Sequence, residues 1–206
     1  MLDFVFEKDR WRCKTIDESP GSLTIRNVEG NARVVRERLE TSVARETLGV
    51  FLAPDFNQET QFQELLKKAK SYAESMRTCH LTRDEAWYSF ESTIMKTLEY
   101  PMVTSSLSRK QWDKIMSPIL CAVLPKSGIV RTMPRSLVFS PFEYLGFGLK
   151  HPFLKQHMEQ VKAILEESLK KSLTDELMSG NMAYIKLELG YPGDMRNWQL
   201  QKCNPA

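Results

Sequence analysis

The chain has 206 residues, of which 42% are hydrophobic, and its formal net charge is +3. This length and composition leave room for one or two hydrophobic cores, which excludes disorder throughout the chain. The small net charge does not by itself indicate a nucleic-acid partner. No apolar run approaches the roughly 18 residues that a membrane-spanning helix needs, and the secretory signal pattern is missing. We therefore expect an intracellular protein without a membrane partner, in the nucleus or the cytoplasm.

The first part of the chain alternates apolar and polar residues with the period of β-strands. Residues 2–6 and 11–15 predict one hairpin, and residues 23–26 and 34–35 predict a second. Such short strands also fit a chain that begins partway through a larger sheet. Because isolated hairpins are marginal in water, we expect the residues before about Val35 to be loose or prone to aggregation.

Residues 45–54 form the boundary between two kinds of pattern. The segment is a short apolar run that ends at Pro54 and Asp55, which is typical of one buried strand followed by a turn. From Asn57 onward the apolar residues recur with the helical period of 3.6. The sequence therefore predicts an α+β fold in which short antiparallel strands precede an antiparallel helical bundle.

The first of three predicted helices starts near Asp55 or Asn57, either of which is a suitable N-cap. Its polar side carries Lys67, Lys68 and Lys70. These lysines face away from the apolar stripe that we expect to be buried.

The second and third predicted helices have clear start signals. Thr82 is an N-cap with Glu85 in capping-box register, and Pro101 ends that helix. Ser108 caps the third helix, in which Pro118 predicts a kink or a break.

Regular periodicity fails between Lys126 and Leu149, where glycine and proline are frequent. Helix returns at Pro152, and a last helix is predicted from residue 174 to 189, weakened at Gly180 and followed by a loose tail. The helix that starts at Pro152 has an apolar face typical of core packing. This face consists of Phe153, Leu154, His157, Met158, Val161, Ile164, Leu165 and Leu169.

The sequence contains no recognisable catalytic or metal-ligand motif. Cys13, Cys79, Cys121 and Cys203 stand far apart without a histidine cluster, so we expect reduced and mostly buried thiols. Phosphate-loop, serine-hydrolase and zinc-protease motifs are missing. No acidic pair lies at the tip of a strand hairpin, where a two-metal polymerase site needs it.

The histidines and tryptophans have ordinary structural explanations. His80 lies in a connection between helices, where a surface or capping role is expected. His157 lies on an apolar helix face, where a core or boundary position is expected. Trp87 and Trp112 occur at helical spacing, which predicts core positions.

Positive charge is concentrated between Ser105 and Lys155, where eight Lys and Arg residues are accompanied by only two acidic residues. Basic side chains on helix faces and a Gly/Pro-rich loop can neutralise a phosphate backbone without reading bases. A merely solvated surface accounts for the same residues. The residues alone leave both interpretations open.

An ordered series of short motifs runs from Thr47 to Gly148, which is about half of the chain. The motifs are Thr47-Leu48-Gly49-Val50, Ala53-Pro54-Asp55, Arg77-Thr78-Cys79-His80-Leu81-Thr82-Arg83, Ala86-Trp87, Ser92-Thr93-Ile94-Met95-Lys96-Thr97-Leu98-Glu99-Tyr100-Pro101, Met116-Ser117-Pro118-Ile119-Leu120, Leu124-Pro125 and Arg131-Thr132-Met133-Pro134-Arg135. In this order they resemble the region of non-long-terminal-repeat retroelement reverse transcriptases that follows the catalytic palm. In that family a Leu-Gly pair on a short strand forms the primer grip, and a helical thumb follows it.

The resemblance implies a role for each part of the chain. Leu48 and Gly49 would lie against the backbone of the primer strand, with glycine allowing close approach; close packing within a strand explains the same glycine. The implied phosphate contacts are Lys67, Lys68, Lys70, Arg109, Lys110, Lys114, Arg131 and Arg135. The implied segments are palm-edge strands with the primer-grip-like strand (1–54), a thumb-like helical bundle (55–125), a basic Gly/Pro loop (126–151), C-terminal helices (152–190) and a tail (191–206).

Two departures separate this chain from the family pattern. The catalytic [FY]-x-D-D turn, which binds Mg²⁺ in an intact relative, lies upstream of the primer grip in the family and is not in this sequence. Where relatives tend to have Gly-Gly-Leu-Gly-Ile, this chain has Tyr144-Leu145-Gly146-Phe147-Gly148-Leu149, with one glycine fewer.

The sequence therefore predicts a non-catalytic fragment of an RNA-directed DNA polymerase that holds a primer–template duplex and has no cofactor of its own. The alternative is a helical protein-interaction module derived from such an element, without nucleic-acid binding. An independent enzyme is a third and weaker hypothesis. The oligomeric state stays open.

Overall fold

The computed structural model describes residues 4–8, 10–26, 33–37 and 40–190. Within these ranges the fold is mixed α+β: short antiparallel strand pairs are followed by a region that is almost entirely helical, as the sequence predicts. The strands are β1 (Phe4–Glu7), β2 (Arg10–Cys13), β3 (Ser22–Arg26), β4 (Arg33–Glu37), β5 (Arg45–Thr47) and β6 (Val50–Leu52).

The six described strands form three separate two-stranded sheets. In the first, β1 pairs with β2, with Phe4 opposite Cys13; in the second, β3 pairs with β4, with Ser22 opposite Glu37. Both predicted hairpins are therefore confirmed. How firmly the residues before Val35 are held stays a prediction.

The segment predicted as one buried strand is instead a tight hairpin, so that prediction was wrong. β5 pairs with β6, with Thr47 opposite Val50, and Leu48 and Gly49 make the turn. Both turn residues have positive φ, 51° and 80°, which is typical of the two-residue turns that match strand twist. Of the six strand residues only Val50 is buried.

The helical region begins with α1 (Glu59–Thr78). The N-cap of α1 is Gln58, without a side-chain cap bond, so neither predicted residue occupies the N-cap position. Both lie just before it: the amide of Glu59 donates to Oδ1 of Asn57, and the amide of Asn57 donates to Oδ1 of Asp55. The next helical elements are α2 (Arg83–Ser89), a π-helical turn (Phe90–Ile94), α3 (Met95–Glu99), a 3₁₀ turn (Tyr100–Val103) and α4 (Arg109–Lys126).

The predicted helix starts at Thr82 and Ser108 are confirmed. Each side chain accepts from the amide three residues on, and Glu85 and Gln111 complete the two capping boxes. The α-helix ends at Glu99, and Pro101 lies in the 3₁₀ turn Tyr100–Val103 that follows it.

Pro118 does not divide α4, which runs without interruption to Lys126. Ile115 and Ile119, on either side of the proline, are completely buried. Tertiary packing, which supplies most helix stability in proteins, therefore holds the helix together where a backbone hydrogen bond is lost.

The core lies mainly between α1 and α4, with α2 and α3 closing one side. Trp112 is completely buried, as predicted, whereas Trp87 is only half-buried and contacts the rings of Phe90 and Phe147. The largest fully buried side chains are Trp112, Phe90, Leu65, Leu98, Met102, Leu107, Ile115, Ile119, Leu120, Leu124, Gln156 and Val123.

The cysteines differ from the expectation. Cys13 and Cys121 are free and half-buried, and Cys79 is free and exposed, so the prediction of mostly buried thiols was wrong. Cys13 lies in a hairpin strand, Cys79 follows the end of α1, and Cys121 lies in α4 with its sulfur 3.9 Å from Nη2 of Arg135. Cys203 lies outside the described residues.

The irregular segment after α4 contains two short helical pieces, α5 (Arg135–Phe139) and a 3₁₀ turn (Phe142–Tyr144). Two long helices follow, α6 (Pro152–Lys170) and α7 (Leu173–Leu189). The predicted start at Pro152 is confirmed, and α7 continues through Gly180 without a break. The predicted tail after Gly190 lies outside the described residues.

The orientation of α6 is the reverse of the predicted one. Its polar Gln156 is completely buried, whereas His157, expected in the core or at its boundary, is exposed. Most of the apolar positions that we expected to be buried are exposed by half or more: Leu154, Met158, Val161, Leu165 and Leu169. Phe153, which packs against the core, and Ile164 are partly buried.

Gln156 explains this reversal, because it anchors α6 to the segment between the 3₁₀ turn and α4. Its Oε1 accepts from the amide of Leu107 at 3.0 Å and from Nε1 of Trp112 at 2.9 Å. Its Nε2 donates to the carbonyl of Leu107 at 3.2 Å, and Gln160 one turn later donates to the carbonyl of Ser105 at 2.8 Å. Buried polar groups must be paired, so this face of α6 has to turn inward.

Replacing Gln156 with leucine should lower the free energy of unfolding by about 3 kcal/mol or more, because three buried polar groups lose their partners. Urea denaturation monitored by tryptophan fluorescence measures the change. The matched control is Gln63→Leu on the exposed side of α1, which should change stability by less than about 0.5 kcal/mol. Equal stability of the two variants would contradict the anchoring role of Gln156.

A second contact joins α6 to the end of α3, where the Glu99 carboxylate meets the ammonium groups of Lys155 and Lys96. Burial alone would raise the pKa of Glu99, but the hydrogen bonds from Lys155 and Lys96 outweigh it and the pKa lies below its ordinary 4.5. Since the folded-state pKa is depressed, the ion pair stabilises the fold above the ordinary pKa of a glutamate.

We expect this contribution to be lost as the pH falls below about 4.5 and through the lower folded-state pKa of Glu99. Glu99→Gln should therefore reduce stability at neutral pH and show a shallower loss of stability on acidification than the wild type. Denaturation series between neutral and acidic pH measure this difference. Parallel curves for the two proteins would show that Glu99 does not contribute to the acid sensitivity.

Candidate nucleic-acid interface

The turn between β5 and β6 projects from the molecule as an exposed tip. The Leu48 side chain is 86% exposed, and Gly49 presents bare backbone beside it. The hydroxyl of Tyr100, in the 3₁₀ turn after α3, donates to the carbonyl of Leu48 at 2.8 Å. The tip is therefore attached to the helical region despite its exposure.

A second bond fixes the hairpin to α1. The amide of Phe51 donates to Oε1 of Gln61 at 2.7 Å, and Gln61 is almost completely buried. The Leu48–Gly49 pair thus lies in a turn, whereas the sequence predicted a strand position. Its neighbours in β6 and α1 hold that turn in one place relative to the helices.

The predicted basic residues occupy two separate surfaces in the described structure. Lys67 and Lys68 line a shallow groove with Tyr72 and Thr97, between α1 and α3, and Lys70 is exposed on α1. The other predicted contacts lie on α4, on α5 and in the connection between these two helices.

Arg109 and Arg135 line one large cleft, which the sequence did not predict. Lys110 and Lys114 are exposed on α4, one helical position beyond the side that faces this cleft. Arg131 is exposed in the connection between α4 and α5. The structure therefore groups part of the predicted set and leaves the lysines of α1 elsewhere.

The cleft has a volume of about 970 Å³ and lies between α4, α5, the segment 140–150 and the start of α6. Its basic side chains are Arg109, Arg135 and Lys150, and its acidic ones are Asp113 and Glu143. Most of the surface is apolar. The apolar lining residues are Met116, Leu120, Phe139, Pro141, Phe142, Leu149, Phe153, Leu154 and Met158.

His151 organises the cleft where α6 begins. Its Nδ1 accepts the amide of Phe153, which caps α6, so the ring proton lies on Nε2. Nε2 is 3.1 Å from Oδ1 of Asp113 and donates to it. Oδ1 of Asp113 is therefore hydrogen-bonded to the His151 ring, and the described residues form no ion pair between Asp113 and Arg109, four residues earlier on α4.

Arg135 is held at the back of the cleft. Its Nη2 lies 3.9 Å from the sulfur of Cys121, a weak contact, and its Nη1 is buried without a hydrogen-bond partner in the described residues. An unpaired buried nitrogen on a charged group is costly, so Arg135 is held in this position at the expense of one hydrogen bond.

The segment 140–149 folds tightly because two glycines allow close approach. A Cβ on Gly146 would lie 2.1 Å from the carbonyl oxygen of Ser140, and one on Gly148 would lie 2.4 Å from the ring of Phe142. Gly148 therefore supports the Phe142 ring, which remains 76% exposed. The Phe142 ring therefore lies at the rim of the cleft, with one side next to Gly148 and the rest exposed.

Leu145 adopts a left-handed conformation, φ 58° and ψ 23°, and its side chain is 92% exposed. Glycine favours this conformation, whereas leucine rarely adopts it. The turn at Leu145 therefore has a backbone conformation that is costly for a residue with a side chain.

Among the described residues, no group of three His, Cys, Asp or Glu side chains is placed to hold a metal ion. The helices of the same ranges include none that is long and apolar enough to cross a membrane. Comparison of the chain with protein-family models, curated proteins and solved structures finds no match.

Proposed function

We propose that this chain is a non-catalytic piece of a retroelement reverse transcriptase and that it holds a primer–template duplex. The observation that carries the proposal is the exposed Leu48–Gly49 turn, fixed by Tyr100 and Gln61 to a helical region with basic surfaces. Gly49 has no side chain to keep a phosphate backbone at a distance.

In this proposal the chain binds the duplex and does not itself catalyse nucleotide addition. Nucleotide addition by a polymerase needs paired carboxylates that hold two metal ions, and this sequence lacks the motif that supplies them. Contacts from lysine and arginine to phosphates are independent of base sequence and weaken with salt. Binding that is tolerant of sequence and sensitive to salt is the behaviour expected of this chain.

A protein-interaction module is the second candidate, and the exposed faces of α6 and α7 favour it. Leu165 and Leu169 on α6, and Leu173 and Leu177 on α7, are each half or more exposed. Contiguous exposed apolar surface of this kind marks interaction sites. Trp112 is completely buried, so a partner would have to contact these helices and not the Trp112 face.

For duplex binding, replacement of Lys67, Lys68 and Lys70 by glutamine should weaken affinity for a labelled RNA–DNA hybrid and reduce its salt dependence. The logarithmic slope should fall by roughly 0.7 to 0.9 for each phosphate that is no longer neutralised. Fluorescence anisotropy at several salt concentrations measures both quantities. The charge-matched control replaces Lys162, Lys170 and Lys171, which lie on or just after α6, outside the predicted contacts.

Failure of the wild-type chain to bind the hybrid at low salt would overturn the proposed function. Affinity that does not change with salt would do the same. An equal loss of affinity in the two triple variants would show that only total charge matters, and the assignment of α1 to the duplex would then be wrong.

For the interaction module, the double variant Leu165→Lys, Leu169→Lys should lose a bound protein partner while retaining the fold, because both side chains are exposed. Affinity capture from cell extract, quantified by mass spectrometry, measures the partner. The lysine-to-glutamine variant of α1 should keep it. A partner that is retained by the α6 variant and lost by the α1 variant would count against this second candidate.

A further inference from the structure

The cleft beside α4 combines two features, an aromatic surface and basic side chains without an ion-pair partner among the described residues. Phe142 projects at the rim with one side supported by Gly148. Phe139 packs against His151 and Phe153 against His157, each with ring centroids 4.6 Å apart, so the other rings of the cleft are also held in place. A flat π-system can therefore stack on the exposed face of Phe142 without rearranging the cleft.

Two cations of the cleft are available to a ligand. Arg109 and Lys150 are exposed and form no hydrogen bond or ion pair with the described residues. Arg135 also lines the cleft, but its Nη1 is buried. The lining carboxylates are Asp113, whose Oδ1 is hydrogen-bonded to His151, and Glu143, so three basic residues stand against two acidic ones. This excess of positive charge next to flat apolar groups favours a ligand that combines negative charge with an aromatic surface.

The arrangement of the cations indicates a strand and not a single small molecule. The three basic residues come from three elements: α4, α5 and the residue pair that precedes α6. The basic side of α4 continues past the cleft with Lys110 and Lys114. Ser117 and Ser136 are the neutral polar side chains among the lining residues, so few groups are available to read the edge of one particular base.

We propose that this cleft binds an unpaired nucleic-acid strand, with a base stacked on Phe142 and successive phosphates contacted by Arg109, Arg135 and Lys150. The inference rests on the proposed function, since it assigns the unpaired part of the same substrate to a second surface. Single-strand grooves elsewhere combine a cationic track with aromatic platforms in this way and tolerate any sequence. The duplex contacts α1 and the Leu48–Gly49 tip, and the strand enters the cleft.

The test compares wild type with Phe142→Ala in binding a fluorescein-labelled oligothymidylate of about 12 nucleotides, a length within the usual range of single-strand sites. Loss of one stacking platform should weaken affinity about 5- to 100-fold. Phe142→Tyr keeps the ring and should keep the affinity. The matched control is Tyr88→Ala on α2, an aromatic side chain with similar exposure, 72%, outside the cleft.

The charge contribution is tested by Arg109→Gln and Lys150→Gln, which should reduce both the affinity for the single strand and its salt dependence. A labelled RNA–DNA hybrid without overhang should bind the Phe142→Ala variant as well as it binds wild type. Circular dichroism of each variant confirms that the fold is retained.

The outcomes separate the two proposals. Normal duplex binding together with no binding of the oligothymidylate overturns the single-strand assignment alone. Loss of both forms of binding in the wild-type protein overturns both. Unchanged single-strand affinity in Phe142→Ala, or tight binding of free thymidine monophosphate without binding of the strand, shows that the cleft is not a strand site.

Discussion

The side-chain amide of Gln156 is the interaction on which the arrangement of the second half of the molecule depends. It satisfies both backbone groups of Leu107 and the indole of Trp112, so it joins α6 to the start of α4 inside the core. Because these bonds are buried, rotating α6 to bury its leucines would leave several polar groups unpaired. One amide therefore determines which face of α6 meets water and where the wall of the cleft lies.

Two polar bonds join the β5–β6 hairpin to the helical region, in addition to the buried side chain of Val50. Gln61 accepts an amide of β6, and Tyr100 donates to the turn of the same hairpin. Directional bonds of this kind set position more strictly than apolar contact does, since they tolerate little change in distance or angle. The hairpin can thus remain exposed and still hold a defined position relative to α1.

Local features were predictable from the sequence, and features that depend on distant contacts were not. The capping boxes at Thr82 and Ser108 are complete within four residues, so their pattern is sufficient. The turn at Leu48 was missed because a leucine with positive φ is rare. The apolar period of α6 was recognised correctly, but period alone does not say which face packs, and Gln156 lies 44 residues from its partner Trp112. The cleft escaped prediction because its walls come from separate elements.

The 3₁₀ turn at residues 100–103 contacts elements of both the Leu48–Gly49 tip and the cleft. Tyr100 in this turn holds the hairpin tip, and the same turn packs on α6, which forms a wall of the cleft. The turn is therefore a common support for two surfaces that do not touch. A ligand that orders the tip or the cleft would also restrict the motion of this turn. A second ligand at the other surface would then lose less conformational entropy on binding. Cooperativity between the tip and the cleft can arise here without any change in mean structure.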